Sequence, residues 1–336
     1  MLRAGVVGAF GYAGRELIRL LVMHPGTELA AAVELEGGQR LDRMLPAFGK
    51  LSNLTTAVFD AKSLAGRCDA VFLALHGGKA MAYVPALLDA GVRVIDMGPD
   101  FRLKDPQTFE RYYGMQHTAP ELLSQAVYGL APYYRDTIRG AQLVAVPGCY
   151  PISMILPLRP LVGHELTELP IVVDAISGVS GAGRALHEAF QFCEMNENVR
   201  AYKLGIHQHT PEVEQELLGE HLIQFSPHVG PYTRGILSTI TVHLKGPVDP
   251  AERYARYAAE PFVRVLGAGA LPELKHVRGS TFCDIGWVMD ERTNNLLIVS
   301  AVDNLMGGTA GMAVQCMNIM FGLEETMGLA CGGMAP

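Results

Sequence analysis

Leu2-Arg3-Ala4-Gly5-Val6-Val7-Gly8-Ala9-Phe10-Gly11-Tyr12-Ala13-Gly14-Arg15 opens the chain with a short apolar run and then a glycine at every third position. The run Leu2–Val7 reads as a strand stopped at Gly8. Ala13–Met23 follows with Leu17, Ile18 and Leu21 at helical spacing. At the start of such a helix, unpaired N–H groups and the positive dipole end favour an anion, and glycines let a pyrophosphate approach the backbone. Gly-x-x-Gly-x-x-Gly is a variant of the dinucleotide fingerprint and gains weight from standing between a strand and a helix. A tight turn without a ligand is the plainer reading of the same glycines. Gly8, Phe10, Gly11, Tyr12, Ala13 and Gly14 are the candidate cofactor residues.

Outward from this loop, Leu29–Val33, Ala70–Leu75 and Val92–Met97 are continuous apolar runs, as a parallel sheet buried on both faces requires. Lys79–Ala90 reads as a helix stopping at Gly91, and Gln142–Val146 as the last strand before a break at Pro147-Gly148. These repeats predict a Rossmann-type doubly wound parallel sheet. Its second strand ends in Val33-Glu34-Leu35-Glu36. An acidic residue some 20 positions past the glycines binds a ribose 2′-hydroxyl and disfavours a 2′-phosphate, so Glu34 or Glu36 argues for NAD(H). A carboxylate turned outward has no such effect, and Arg40 lies close by, so the choice stays open.

Past the break the strands lengthen: Ile171–Ile176, Gly235–Leu244, Phe282–Met289 and Leu296–Val302, with Asp290–Asn295 as a hairpin loop. This predicts a second α+β domain with a mixed, largely antiparallel sheet. The expected division is 1–148 with 306–336 as the dinucleotide-binding domain, and 149–305 as the catalytic, substrate and oligomerisation domain. The tail from Gly308 to Phe321 has helical spacing suited to packing on the first domain.

The 336 residues carry a net charge of −7, with 49% hydrophobic and 18% charged side chains. That is a folded protein without the basic field that nucleic acid or anionic lipid would call for. No apolar run reaches the length of a membrane span, and the first residues do not read as a secretion signal. Cys68, Cys149, Cys193, Cys283, Cys316 and Cys331 form no CxxC pair, which fits a reducing cytoplasm where thiols stay free.

Cys149 stands out among them. Val146-Pro147-Gly148-Cys149-Tyr150-Pro151 puts it just past a strand, at the start of the apolar helix Ile152–Leu161. A helix N-terminus stabilises the thiolate, the reactive form. The bland reading, a small buried residue, is adopted for the other five. Among eleven histidines, Gly205-Ile206-His207-Gln208-His209-Thr210-Pro211-Glu212 is distinctive. Thr210 is expected to cap a helix with Pro211 at its first position, leaving His209 fixed at the helix start as a base, although a structural histidine remains the alternative. His-x-His lacks a third ligand at supporting spacing, so no metal is expected. Ser177-Gly178-Val179-Ser180-Gly181-Ala182-Gly183-Arg184 and Thr233-Arg234-Gly235 place two arginines among glycines, where bidentate bonding to carboxylate or phosphate is possible.

Taken together, these segments closely resemble the N-acetyl-γ-glutamyl-phosphate reductase family, which is related to the aspartate-semialdehyde dehydrogenases. Gly8–Gly14, Asp100–Leu103, Val127–Leu130, Pro147–Pro151, Ser177–Arg184, His207–Glu212, Arg234–Ile236, Asp303–Leu305 and Ala313–Gln315 carry the resemblance over nearly the whole chain. It implies reductive dephosphorylation of N-acetyl-γ-glutamyl phosphate in arginine biosynthesis. Cys149 would be the acylated nucleophile, His209 the acid/base and NADP(H) the hydride donor. Gly181 and Asn304 would join the cofactor site; Ser177, Arg102, Arg184 and Arg234 the substrate site. A homodimer or homotetramer is also implied. Ile152, Gln208 and Gly307 stand where the family commonly has Thr, Arg and Lys, and Ala131-Pro132 replaces a usual Pro-Glu; the lost Arg and Lys bear on phosphate or cofactor contacts. The competing functions are the same chemistry on β-aspartyl phosphate, a nucleotide-independent Cys/His acyl hydrolase or transferase, and a non-catalytic redox sensor.

Overall fold

The computed structural model describes residues 1–49, 52–163, 166–329 and 332–334; Cys331 and the extreme C-terminus, part of the expected 306–336 tail, lie outside them. The chain divides into two compact units. One comprises Met1–Gly148 with the tail beginning at Thr309, the other chiefly Cys149–Gly308.

In the first unit six strands form a sheet: β1 (Leu2–Val7), β2 (Thr27–Val33), β3 (Ala70–Leu73), β4 (Arg93–Asp96), β5 (Val127–Tyr128) and β6 (Leu143–Ala145). Their spatial order is β2-β1-β3-β4-β6-β5, and every pairing is parallel. Both faces are covered, so Val6, Val71, Phe72, Val94, Ile95 and Val144 are fully buried. The chain leaves β1 for β2 on one side and returns to β3 on the other. That reversal opens a crevice at the carboxyl ends of β1 and β3, where doubly wound sheets bind ligands. β6 is the last strand in sequence but not the edge, because the two-residue β5 pairs outside it.

The second unit holds a mixed sheet of seven strands: β7 (Ile171–Gly178), β8 (Arg200–Ala201), β9 (Ile223–Gly230), β10 (Ile236–His243), β11 (Val263–Ala268), β12 (Cys283–Asp290) and β13 (Asn295–Val302). Their order is β11-β12-β13-β10-β7-β9-β8, with β7–β9 and β11–β12 parallel and the remaining pairs antiparallel. The β12–β13 hairpin turns at residues 291–294, where Asn294 takes the left-handed conformation (φ 54°) that Asn tolerates.

One face of this sheet is covered by the helix Cys149–Leu158, which polar pins hold in place. Ser153 Oγ pairs with Ser238 Oγ of β10 at 2.8 Å, and Ser300 of β13 donates to the Ser153 carbonyl. At the helix end, where carbonyls lack helical partners, the Tyr254 and Tyr257 hydroxyls donate to Pro157 O and Leu156 O at 2.9 and 2.7 Å. Among the described residues no helix is long and apolar enough to cross a membrane.

Candidate active site

In the first unit, the three glycines do three different jobs. Gly8 has φ +85°, and a Cβ there would lie 2.4 Å from Ala74 O just beyond β3, so only glycine fits the turn. A Cβ on Gly14 would lie 2.0 Å from Gly8 O, so the helix Tyr12–Met23 starts directly against the loop. At Gly11 a Cβ would meet nothing nearer than 3.8 Å, which leaves that side of the loop open. A tight turn, an open approach and a close helix contact are what a pyrophosphate cradle needs, and the loop fits a dinucleotide. Phe10 anchors it: its amide donates to Glu34 Oε1 at 2.6 Å, and its carbonyl accepts from Arg15 Nε at 3.0 Å.

In the second unit, Cys149 is the first residue of its helix and partly exposed. A Cβ on Gly308 would come within 2.9 Å of Cys149 Cβ, so glycine there leaves the thiol its space. The other described cysteines differ. Cys68, Cys283 and Cys316 are buried, and burial pushes their thiols up, Cys68 to about 11, which keeps them protonated and inert. Cys193 is exposed.

Next to Cys149 an aromatic box forms. Tyr150 is buried, donates to His228 O at 2.9 Å, and packs edge-on against Phe225, His207 and His209 with centroids at 5.1, 5.7 and 6.0 Å. The Tyr202 hydroxyl donates to Tyr150 Oη at 3.4 Å. Burial drives both phenols up, Tyr202 to about 12 and Tyr150 further, so neither ionises near neutrality. The box thus brings His209 to the Cys149 end of its helix, and Arg159 ties the far end to Glu216 on the His209 helix.

The start of that helix corrects one expectation. His209 and Thr210 are already helical (His209–Glu216), so Thr210 does not cap it. His207 supplies the acceptor instead: its Nδ1 takes the His209 N–H at 3.2 Å. Burial, then the Lys203 cation, lowers His207 to about 3, so the ring is neutral and its Nδ1 lone pair available. Among the described residues no cluster of metal-ligating side chains exists.

Ser177, Gly181 and Asn304 are brought together. A Cβ on Gly181 would lie 3.0 Å from Ser177 Oγ and 3.8 Å from Asn304 Nδ2. Asn304 is buried, donating to Ser180 Oγ at 2.9 Å and accepting from Gly235 N at 2.8 Å. Its neighbour Asp303 accepts from the amides of Gly279, Leu305 and Met306 and lies 3.7 Å from Arg234. Arg184 is exposed on the loop after Gly183.

Arg102, expected at an anionic substrate, is held by backbone carbonyls. It is 7% exposed, and its guanidinium donates to Val146 O at 2.8 Å and Met97 O at 3.0 Å, clamping the ends of β6 and β4. Backbone carbonyls there have no sheet partner, which draws the cation inward. Of the departures from the family pattern, Ile152 is buried in its helix. Gln208 accepts from Lys203 Nζ at 2.9 Å. At Gly307 a Cβ would lie 2.8 Å from Thr281 O, so a side chain there would require the backbone to shift.

Residues 3–141 match the family model of the semialdehyde dehydrogenase NAD binding domain, and 149–304 that of the semialdehyde dehydrogenase dimerisation domain. The fold agrees with solved structures. Aspartate semialdehyde dehydrogenase II complexed with ASA from Vibrio cholerae matches at TM-score 0.71 and 16% identity, covering 96% of this chain and 98% of that one. Aspartate semialdehyde dehydrogenase with NADP from Candida albicans matches at 0.71 and 16%, with the same coverage. The class is therefore that of the two-domain semialdehyde dehydrogenases. Curated relatives narrow it: the N-acetyl-gamma-glutamyl-phosphate reductase of Symbiobacterium thermophilum is 47% identical over 99% of this chain and 98% of its own, and that of Halorhodospira halophila 48% identical over 98% of each. The chain belongs to the N-acetyl-γ-glutamyl-phosphate reductase family.

Proposed function

We propose that this chain reductively dephosphorylates N-acetyl-γ-glutamyl phosphate to N-acetylglutamate 5-semialdehyde, a step of arginine biosynthesis, through a thioester on Cys149. The observation that carries the reading is the partly exposed Cys149 at a helix start, with His209 held by the same aromatic box. Kinship at 47–48% identity supports the substrate.

Cys149 thiolate attacks the acyl carbon, and phosphate departs with the electrons of the broken C–O bond. One hard reduction becomes two easier steps. Backbone N–H groups at the helix start stabilise the tetrahedral oxyanion. A nicotinamide dinucleotide, when bound, would supply the hydride that reduces the thioester to a thiohemiacetal. His209 donates a proton to the developing oxygen and takes it back as the C–S bond breaks, which frees the aldehyde and restores the thiolate. Arg184 and Arg234 suit the substrate's carboxylate or phosphate by bidentate bonding. Gly8–Gly14 would hold the pyrophosphate of a dinucleotide, and the family resemblance gives Gly181 and Asn304 as further cofactor residues. The family resemblance favours NADP(H), while the carboxylates ending β2 pull the other way. Two or four chains assemble, and the reaction runs in the cytoplasm, where Cys149 stays reduced.

Cys149→Ser is expected to abolish phosphate-dependent oxidation of N-acetylglutamate 5-semialdehyde while dinucleotide binding persists. Near-normal turnover in this variant would falsify the thioester route. Faster turnover of aspartate β-semialdehyde by the wild type would reassign the substrate.

A further inference from the structure

We propose that Glu34 sets the dinucleotide specificity of this chain and makes it prefer NAD(H) over NADP(H), an inference that rests on the dinucleotide reading of the Gly8–Gly14 loop. Three observations carry it. The first is position. Val33 pairs with Val7 across the parallel β1–β2 ladder, and Gly8 N donates to Val33 O at 3.0 Å, so Glu34 emerges directly beside the glycine turn. The second is direction. Glu34 Oε1 accepts the Phe10 N–H at 2.6 Å, so the half-buried carboxylate is turned toward the loop. Sequence alone leaves that orientation open.

The third is charge. A 2′-phosphate is a dianion near neutrality and needs cations or donors around it. Arg40, the arginine close behind in sequence, commits Nε and Nη2 to the Asp42 carboxylate at 3.0 and 2.6 Å. Arg15 turns its Nε to the Phe10 carbonyl, within the loop itself. Glu36 adds a second, exposed carboxylate two residues on. An ionised carboxylate only accepts hydrogen bonds, so it can take a ribose 2′-hydroxyl as donor but has nothing to offer a phosphate. With Oε1 bonded to the Phe10 amide, Oε2 is the oxygen that would receive that hydroxyl.

The test is calorimetric binding of NAD⁺ and NADP⁺ to the full chain, with no turnover involved. The wild type is expected to bind NAD⁺ more tightly by at least about tenfold. Glu34→Gln keeps an oxygen for the Phe10 amide but removes the charge, and should tighten NADP⁺ until the ratio falls below about threefold. Equal or tighter NADP⁺ binding by the wild type overturns the proposal, as does a ratio that Glu34→Gln leaves unmoved. Should that variant not fold, competition of 5′-AMP against adenosine 2′,5′-bisphosphate on the wild type decides, the bisphosphate being expected to lose. Binding of neither dinucleotide would instead remove the loop's nucleotide role, and with it this inference.

Discussion

His207 and His209 stand two apart and live in different environments. His207 is 3% exposed, walled by Tyr150, Tyr202 and Phe225, and its ring centroid lies 4.8 Å from that of His209. Kept neutral by burial, it adds no positive charge beside the proposed base, and its Nδ1 holds the first amide of the His209 helix. That makes it a positioning residue. His207→Phe preserves the ring but removes the acceptor, and should lower kcat about tenfold with KM unchanged. His207→Asn, whose side-chain oxygen suits a helix start, should recover part of the loss. His209→Asn should cost about 10²–10⁴ in rate. A His209→Asn loss under tenfold ends its acid/base role, whereas full kcat in His207→Phe beside an inactive His209→Asn ends only the positioning claim.

At the scale of elements, the end of β4 holds an unusual carboxyl. Asp96 is fully buried; its Oδ1 accepts from Gly98 N at 2.9 Å, and its Oδ2 has no hydrogen-bond partner among the described residues. Burial first, then the nearby Asp100, raises its carboxyl from 3.8 to about 7. Between those values the folded state keeps a proton that the unfolded chain has released. Unfolding therefore sheds protons, and this group's contribution to stability falls as pH rises through that window. Asp96→Asn cannot ionise, so its Tm should gain on the wild type as pH rises between about 4 and 7; two parallel Tm curves would exclude the shift. The strand itself was readable in advance because burial on both faces demands an unbroken apolar run, and β1, β2, β3 and β6 were readable on the same ground. β5 was not, since two residues carry no period. β9 was hidden by Pro227, which lacks a ladder donor and argues against an interior strand. It survives because β9 meets only the two-residue β8 and its continuation on that side, where Pro227 needs to offer only its carbonyl, which accepts from Tyr202 N at 3.1 Å. The site shows the same split. Cys149 and the glycines announce themselves by local turn context. The aromatic box does not, because Tyr150, the Tyr202–His207 connection and Phe225 meet from three separate segments.

For the molecule as a whole, the outer face of the second sheet is the feature that its own unit leaves half-uncovered. Register places Val172, Thr241 and Leu297 in one cross-strand row, and Asp174, Thr239 and Val299 in the next. Ile176 and Leu237 pair beyond them. These side chains are half-buried or exposed, while Val173, Ile240 and Ile298 between them point inward and are fully buried. An apolar strip framed by Asp and Thr suits cover by a second copy, and it lies within the segment that matches a dimerisation domain. A pairing of two such faces is self-complementary, so one charge introduced near the strip's centre is felt twice. Val299→Arg buries two unpaired guanidiniums in the assembled state, and a buried unpaired charge costs more than one rim contact returns. The variant should therefore elute with a halved assembly mass in light-scattering chromatography, with its helix and strand content unchanged by circular dichroism. An exposed Lys245→Glu, whose ammonium pairs with the exposed Glu168 at 2.8 Å, should leave the mass as it was. If Val299→Arg keeps the wild-type mass while folded, the subunits meet through some other surface.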